Sequence, residues 1–208
     1  MQKIPSLFKR NYEGDRLIYN EIVEGCEWVA QGDGTPTRKW DGTCCLVRDG
    51  KLYKRFDAKA GRTVPDGFIP AQEPDPVTGH YPGWVLVGNG PEDQYYRAIQ
   101  MIDPDGEKPL LKTKFSGTDH LCYQVDNEWI VANDGTYELC GPKINGNPEG
   151  FSSHVLIRHG QQELDCPRDF NGLRDYLATH DIEGVVWHYG DRMAKVKAKD
   201  FGIKRGGK

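Results

Sequence analysis

Apolar and polar residues alternate in short runs along most of the chain, and this period predicts strands rather than helices. The run at 44–47 is followed by an Asp-Gly pair and by a second alternating run at 51–56, the strongest short-range signal for a β-hairpin. A second hairpin is predicted at 121–131. Further strands are predicted at 84–87, 136–141, 154–157, 181–188 and 193–197.

Helical spacing is found in two places. Pro91 is predicted to open a helix whose apolar face carries Tyr95, Ala98, Ile99 and Ile102, and the Pro-Asp-Gly string at 104–106 is predicted to end it. A second helix is predicted after a cap at Asp169 or a neighbouring residue, because Phe170, Leu173 and Leu177 share one face. Eight or nine short strands with two helices predict an α+β domain built on largely antiparallel sheets.

Loop composition separates these elements without suggesting a second domain. Residues 1–36 carry short apolar patches and are expected to form one or two lead-in strands. Residues 63–83 contain five prolines and are predicted to be one long surface loop. A chain of 208 residues can bury a substantial core, so a single domain over residues 1–208 is expected.

Composition narrows the class of protein. The formal net charge of −4 excludes a polycation that binds nucleic acid over its whole surface. Positive charge is local, since residues 191–208 hold seven Lys or Arg against two Asp, either as a solvated tail or as an edge that faces phosphate. No stretch has the length and apolarity of a membrane span, and the N-terminus does not resemble a signal peptide. We therefore expect a soluble, cytoplasmic protein.

The six cysteines form no Cys-x-x-Cys pair and have no His-x-x-x-His partner, so buried reduced thiols are expected rather than a zinc site. The motifs of phosphate-loop NTPases, Rossmann enzymes, serine hydrolases and zinc proteases are also missing from the sequence.

What remains is a set of charged residues at predicted strand ends, in a particular order. A Lys-x-Asp-Gly motif stands at 39–42, at the entrance to the first hairpin, and a Lys-Arg pair stands at its exit. Each later piece, such as the Glu-Gly pair at 183–184 or the Lys-x-Lys at 195–197, is common by chance, but their succession is not. In chain order the set is Lys39, Arg55, Glu138, Glu183, Lys195 and Lys197.

This succession resembles the lysine-dependent nucleotidyltransferase superfamily of polynucleotide ligases and capping guanylyltransferases. The string Lys-Trp-Asp-Gly-Thr at 39–43 and the string Lys-Val-Lys-Ala-Lys-Asp-Phe at 195–201 are most similar to small single-domain ATP-dependent 5′-3′ RNA ligases. The resemblance implies an ATP-grasp-like ligase catalytic domain with a nucleotide cleft between its sheets. It also implies that residues 1–208 form one adenylyltransferase domain without a C-terminal oligonucleotide-binding domain.

The resemblance further implies a role for each residue. Lys39 would attack the α-phosphorus of ATP, and for this its amine must lose a proton, which nearby cations favour. Lys195 and Lys197, two apart on one strand, would supply that field and hold the α-phosphate. Glu183 would bind Mg²⁺, for which Mn²⁺ could substitute, and Glu138 would hold the ribose or assist the metal.

The implied partner is RNA with 5′-phosphate and 3′-hydroxyl ends, joined by a monomeric enzyme. Arg55 is assigned to the 5′-phosphate, which suits a bidentate guanidinium. Asp41 is expected to orient the site, and Gly42 is expected to let the backbone pass close to the nucleotide.

Several positions depart from the pattern of the superfamily. Tyr137 stands where ligases usually have glycine, and Thr37 stands where DNA ligases often have an adenine-reading glutamate. His188 stands where a phosphate-contacting lysine is common, and could replace it only weakly. A ring should stack on adenine, with Phe151 or His154 as the candidates.

Three alternatives stay open from the sequence. The same lysine could serve a DNA ligase or a capping-type guanylyltransferase. A non-catalytic domain that binds RNA ends could also keep the fold.

Overall fold

The computed structural model describes residues 3–59, 63–102 and 110–205. Fifteen strands lie in these ranges: β1 Phe8–Arg10, β2 Ile18–Ile22, β3 Thr35–Lys39, β4 Thr43–Arg48, β5 Lys51–Ala58, β6 Ile69–Pro70, β7 Tyr81–Leu86, β8 Ile99–Met101, β9 Leu111–Phe115, β10 Leu121–Val125, β11 Glu128–Val131, β12 Gly135–Cys140, β13 His154–Arg158, β14 Gly184–Tyr189 and β15 Arg192–Lys197. The helices in the same ranges are α1 Glu27–Ala30, α2 Gln94–Arg97 and α3 Phe170–Thr179, with 3₁₀ turns at Pro91–Asp93 and Ala198–Phe201. No helix within the described ranges is long and apolar enough to cross a membrane.

The chain divides into two compact units. The first unit, Gly42–His159, is built on one ten-stranded sheet with the order β11-β10-β9-β8-β13-β12-β4-β5-β7-β6. All its pairs are antiparallel except β8 with β13. Its core lies on the sheet face that carries Cys45, Val47 and Leu139, because alternate residues of a strand point to opposite faces.

The second unit contains Lys3–Asp41 and the described residues from 160 onward. It is built on the three-stranded antiparallel sheet β15-β14-β3 and on the hairpin β1-β2. Helix α3 packs Leu173 and Leu177 against Val185, Trp187 and other core residues of this unit. The side chain of Asp169 caps α3 by accepting a hydrogen bond from the Gly172 N–H at 2.9 Å, as the sequence predicts.

The mostly antiparallel α+β class is confirmed, but the predicted helix after Pro91 is wrong beyond Arg97. Ile99 and Met101 are both buried and two residues apart, and this segment forms β8 between β9 and β13. Strand pairing on both sides outweighed a helical pattern of only a few residues. The predicted end of that helix, at 104–106, lies outside the described residues.

The sequence also undercounted the strands. Residues 63–83 were predicted as loop, yet Ile69–Pro70 pairs with β7, and β7 itself begins at Tyr81.

The six cysteines are free thiols, as expected, and four are buried. Burial raises the pKa of the Cys45 thiol well above its usual range and that of Cys166 to about 11, so both are protonated and unreactive at neutral pH. A single catalytic domain over the whole chain stays a prediction.

Candidate functional site

The second unit brings four of the six predicted residues together at one end of its three-stranded sheet. Lys39 ends β3 and Lys197 ends β15, and both lie opposite Gly184 at the start of the central strand β14. Residues directly opposite one another point to the same face, so the two lysines flank one position. Glu183 immediately precedes Gly184, and Lys195 lies two residues before Lys197 on that face.

The carboxylate of Glu183 joins the two lysines. Its Oε2 accepts a hydrogen bond from Lys39 Nζ at 2.5 Å, and its Oε1 accepts one from Lys197 Nζ at 2.7 Å. Burial raises the pKa of Glu183, but the charges and hydrogen bonds of the two lysines outweigh burial and hold this pKa below its ordinary value. Glu183 is therefore ionised at neutral pH although the residue is only 8% exposed.

Gly184 makes this arrangement possible. A Cβ built there would lie 2.1 Å from the carbonyl oxygen of Val196 and 2.9 Å from Cα of Lys197. A side chain would therefore separate β14 from β15 at the point where Glu183 meets its lysines. The Glu-Gly pair found in the sequence thus has a steric reason as well as a chemical one.

Lys195 occupies the next row of the same face, opposite Val186. Burial, and then the charges of Lys197 and Lys39, lower the pKa of Lys195 to about 8. A lysine with this pKa still carries a proton in most molecules at pH 7 and loses it in mildly alkaline solution. The three lysines thus act on one another electrostatically, and the predicted activation of Lys39 by its neighbours stays a prediction.

Asp41 lies close to this cluster but is held by a different cation. Arg205 Nη1 lies 3.5 Å from Asp41 Oδ2, and the same guanidinium donates to the backbone oxygen of Asp181 at 3.1 Å. Asp41 and Glu183 both line a cavity of about 360 Å³, whose wall also contains the cations Lys199, Lys204 and Arg205. Two carboxylates on one cavity fit a hydrated Mg²⁺, which is usually held by one or two carboxylates together with water and substrate phosphates.

Thr37 and His188, two positions that depart from the superfamily, are bonded to each other. His188 Nε2 lies 3.1 Å from Thr37 Oγ1, and this hydroxyl donates to the backbone oxygen of Val186 at 3.1 Å. Both side chains lie on the face that carries Lys39 and Lys195, because their register alternates in step with these residues. Thr37 and His188 therefore form a hydrogen-bonded polar pair at the two positions where the superfamily often has a glutamate and a lysine.

Glu138 belongs to the first unit and lies in the middle of β12. Its Oε1 accepts a hydrogen bond from the Gly42 N–H at 3.1 Å, and its Oε2 lies 2.9 Å from His159 Nε2. The other ring nitrogen of His159 lies 2.9 Å from Thr136 Oγ1. The carboxylate and the imidazole therefore fix each other's orientation, and Glu138 is not an outward-facing surface residue.

The same pair has a thiol beside it. Ligand atoms of Cys44, Glu138 and His159 all lie within 4.8 Å of one another. Sulfur and imidazole ligands suit a softer ion such as Zn²⁺ better than Mg²⁺. This cluster thus differs chemically from the cavity at Glu183, where the two candidate metal ligands are carboxylates.

Arg55 lies on β5 of the first unit, on the same sheet face as Glu138. Lys54 is opposite Cys45 on the core face, so Arg55 points to the other face, which Glu138 shares through its partner Cys44. Arg55 Nε lies 3.1 Å from Asp57 Oδ1, and its guanidinium lies 5.2 Å from the centre of the Trp84 ring.

The neighbouring Lys54 has a structural task. Its Nζ pairs with the buried carboxylate of Asp93, which also accepts a hydrogen bond from the Gly88 N–H at 2.6 Å. The Lys-Arg pair of the sequence therefore splits into one lysine that fixes a loop and one arginine on the polar face.

Gly42 is needed for close packing. A Cβ there would lie 2.3 Å from the carbonyl oxygen of Leu139 and 2.8 Å from Cys140 Sγ. Its N–H binds Glu138, and its carbonyl accepts a hydrogen bond from Asn145 Nδ2 at 2.8 Å. The sequence predicted a close approach at this glycine, and within its unit the approach is to a neighbouring strand.

The two candidates for adenine stacking differ in their surroundings. The His154 ring packs on Tyr95 with centroids 4.9 Å apart, and burial lowers the pKa of His154, so the ring is neutral at pH 7. The backbone N–H of Phe151 donates to Asn147 Oδ1 at 3.1 Å, which fixes the loop that carries this ring. That Phe151 or His154 stacks on adenine stays a prediction.

Sequence reasoning assigned no role to two residues of these clusters, His159 and Arg205. His159 lies two residues beyond Ile157, the partner of Glu138, so the period of two would have placed it on the Glu138 face once the pairing of β12 with β13 was known. Arg205 carried no signal beyond its place in a basic tail.

The fold and these clusters define an α+β protein with a lysine-carboxylate centre suited to phosphate chemistry. The family model described as RNA ligase 1 matches residues 59–206, which is most of the chain and includes Glu138, Glu183, Lys195 and Lys197. The chain therefore belongs to the RNA ligase 1 family, and the resemblance to RNA ligases is confirmed.

Relatives support the same family over nearly the full length. The chain is 28% identical to RNA ligase 1 of Pongo abelii, over 94% of this chain and 76% of the relative. It is 26% identical to RNA ligase 1 of Danio rerio, over 98% and 81%, and 27% identical to that of Mus musculus, over 94% and 75%.

Proposed function

We propose that the protein is an ATP-dependent RNA ligase that joins 5′-phosphate and 3′-hydroxyl ends through a lysyl-AMP intermediate on Lys39. Membership of the RNA ligase 1 family supports ligation of RNA. The observation that carries the mechanism is the cluster in which Glu183 is bonded to Lys39 and Lys197, with Lys195 beside them.

In the first step the neutral amine of Lys39 attacks the α-phosphorus of ATP. A nitrogen–phosphorus bond forms, the bond from the α-phosphorus to the bridging oxygen breaks, and pyrophosphate leaves with the electron pair. Lys195 and Lys197 hold the α-phosphate and stabilise the negative charge that builds up on its oxygens.

The ion pair with Glu183 opposes attack by Lys39 before substrate binds. An ion pair with a carboxylate favours the ammonium form of a lysine, and an ammonium ion cannot attack. A Mg²⁺ ion held by Glu183, with Asp41 on the same cavity, would supply positive charge that competes with Lys39 for this carboxylate and neutralises phosphate.

In the later steps AMP passes to RNA. An oxygen of the RNA 5′-phosphate attacks the phosphorus of lysyl-AMP, and the bond to Lys39 nitrogen breaks. The 3′-hydroxyl of the second end then attacks the adenylylated 5′-phosphate and expels AMP. Arg55 binds the 5′-phosphate in this proposal, and Glu138, held by Gly42 and His159, binds the ribose of the nucleotide.

Labelling with α-³²P nucleotides tests the proposal. Wild-type protein should be labelled by ATP in the presence of Mg²⁺, whereas the Lys39→Ala variant should not, and the exposed-lysine control Lys143→Ala should be labelled like wild type. Labelling by GTP alone would favour a guanylyltransferase. The ligase proposal also fails if the labelled protein seals nicked DNA but no RNA end.

A further inference from the structure

A basic groove of the second unit reaches the catalytic lysines from the N-terminal segment. Its volume is about 730 Å³, and Asp200 is the one carboxylate among its lining residues. The cations that line it are Lys3, Lys9, Arg10, Lys195, Lys197 and Lys199. In a chain with a net charge of −4, this concentration of positive charge marks a site for a polyanion.

Backbone pairing fixes the groove beside the catalytic strand. The N–H of Leu7 donates to the carbonyl of Lys195 at 2.7 Å, and the N–H of Lys195 donates to the carbonyl of Pro5 at 3.0 Å. The N-terminal segment therefore runs parallel to β15, with a bridge between Ser6 and Lys195. The hairpin β1-β2 continues from this segment and carries Lys9 and Arg10.

Carboxylates balance part of the charge of the groove, since Asp200 pairs with Arg10, Glu21 with Lys9 and Glu183 with Lys197. The six cations of the groove still outnumber these three carboxylates. Asp200 is buried, pairs with Arg10 and accepts a hydrogen bond from the backbone N–H of Lys197 at 3.0 Å. It therefore fixes the shape of the groove where the hairpin meets the end of β15.

Two tyrosines in the wall indicate what kind of polyanion fits. Tyr12 is 78% exposed and Tyr19 is 43% exposed. A basic groove with exposed aromatic rings is the combination that binds single-stranded nucleic acid, because unpaired bases stack on the rings while lysines and arginines follow the backbone. Bases inside a duplex are not available for such stacking.

We propose that this groove binds an unpaired stretch of the RNA substrate next to the break, with bases stacked on Tyr12 and Tyr19. The inference rests on the proposed ligase function and deepens it, because it makes RNA with single-stranded nucleotides at the junction the preferred substrate. The strand is led along the groove to Lys195 and Lys197, where the reaction takes place.

Fluorescence anisotropy with the full chain tests the groove. The probes are a 12-nucleotide single-stranded RNA and a blunt RNA duplex of the same sequence, without ATP. Wild type should bind the single strand at least about tenfold more tightly than the duplex, and Tyr12→Ala/Tyr19→Ala should lose about tenfold or more in affinity for the single strand. Tyr12→Phe/Tyr19→Phe should restore affinity to within about twofold, since phenylalanine keeps the stacking surface.

Salt dependence tests the charge of the groove. Lys9→Ala should lower the slope of log K against log salt by about 0.7, the value for one phosphate contact of a single strand. Lys112→Ala, at an exposed position on β9, should leave the slope unchanged. Equal slopes for Lys9→Ala and wild type would remove Lys9 from the RNA contact.

The outcomes separate this inference from the proposed function. If wild type is labelled by ATP but the alanine double variant binds the single strand as tightly as wild type, the groove proposal is wrong and the ligase proposal stands. If single-stranded RNA binds through the tyrosines but the wild type forms no lysyl-AMP, the groove stands and the ligase proposal fails. Tighter binding of the duplex, unaffected by the tyrosines, would also overturn the groove.

Discussion

Among the described residues, each unit of the protein buries one glutamate to the same extent, and the partners of the two carboxylates differ in charge. Glu138 and Glu183 are both 8% exposed. Glu183 is bonded to the ammonium groups of Lys39 and Lys197, whereas Glu138 is bonded to the backbone N–H of Gly42 and to the ring of His159.

The difference indicates two kinds of task for one residue type. A buried carboxylate between two lysines belongs to a strongly charged cluster, and we propose that its partners exchange when phosphates and a metal ion bind. A buried carboxylate held by a backbone donor and an oriented imidazole keeps a fixed position, which suits recognition of a hydroxyl group. We infer that Glu183 interacts with the charges of phosphates and metal, whereas Glu138 recognises a hydroxyl group by its position.

The largest expected effect is that of a substitution at Glu183, and its absence would contradict this comparison. The change Glu183→Gln keeps the shape but removes the charge that balances the lysines and attracts metal, so Mg²⁺-dependent labelling by ATP should fall at least about 100-fold. The exposed Glu24→Gln, in the same unit, is the matched control and should keep wild-type labelling. Activity within about threefold of wild type for Glu183→Gln would remove Glu183 from the reaction.

Arg55 sharpens the comparison because it shares the sheet face of Glu138. Loss of a charged hydrogen bond to the RNA 5′-phosphate in Arg55→Ala should slow transfer of AMP to RNA by about 10- to 150-fold. Self-adenylation, measured separately without RNA, should change much less. If Arg55→Ala loses self-adenylation and transfer equally, the assignment to the RNA phosphate is wrong.

The proposed role of Glu138 in ribose recognition predicts a smaller effect. Wild type should use ATP about tenfold better than 2′-deoxy-ATP or 3′-deoxy-ATP, whichever lacks the hydroxyl that Glu138 binds. Glu138→Ala should lose this preference, and His159→Phe should lose part of it because the carboxylate is no longer oriented. An unchanged preference in Glu138→Ala would contradict the assignment.

The smallest effect concerns pH and the charge of Lys195. Burial and the neighbouring lysines place its pKa at about 8, so it is charged below pH 8 and loses its proton as the pH rises through 8. The alkaline fall of kcat/KM for self-adenylation should therefore begin near pH 8 in wild type and at higher pH in Lys195→Arg, which stays charged. If kcat/KM falls at the same alkaline pH in both proteins, Lys195 does not determine this fall. Circular dichroism at each pH checks that both proteins stay folded.

The sequence predicted the class of fold because this depends on local patterns, and the period of two placed Lys195 and Lys197 on one face. The grouping of these lysines with Glu183 came from the resemblance to RNA ligases, and Glu183, predicted inside a strand at 181–188, immediately precedes the observed strand. The contact of Glu138 with His159 could not be predicted from the sequence, because it depends on the pairing of β12 with β13. The strand Ile99–Met101 was missed because its neighbours, distant in the sequence, decide its conformation.

The most direct test of the central claim is peptide mass spectrometry of the protein after incubation with ATP and Mg²⁺. We predict a mass increment of one AMP on the peptide that contains Lys39, lost when pyrophosphate is added in excess or when RNA with a 5′-phosphate accepts the AMP. An AMP increment on Lys195, Lys197 or any other residue, or no increment on protein that nevertheless seals RNA, would contradict the account.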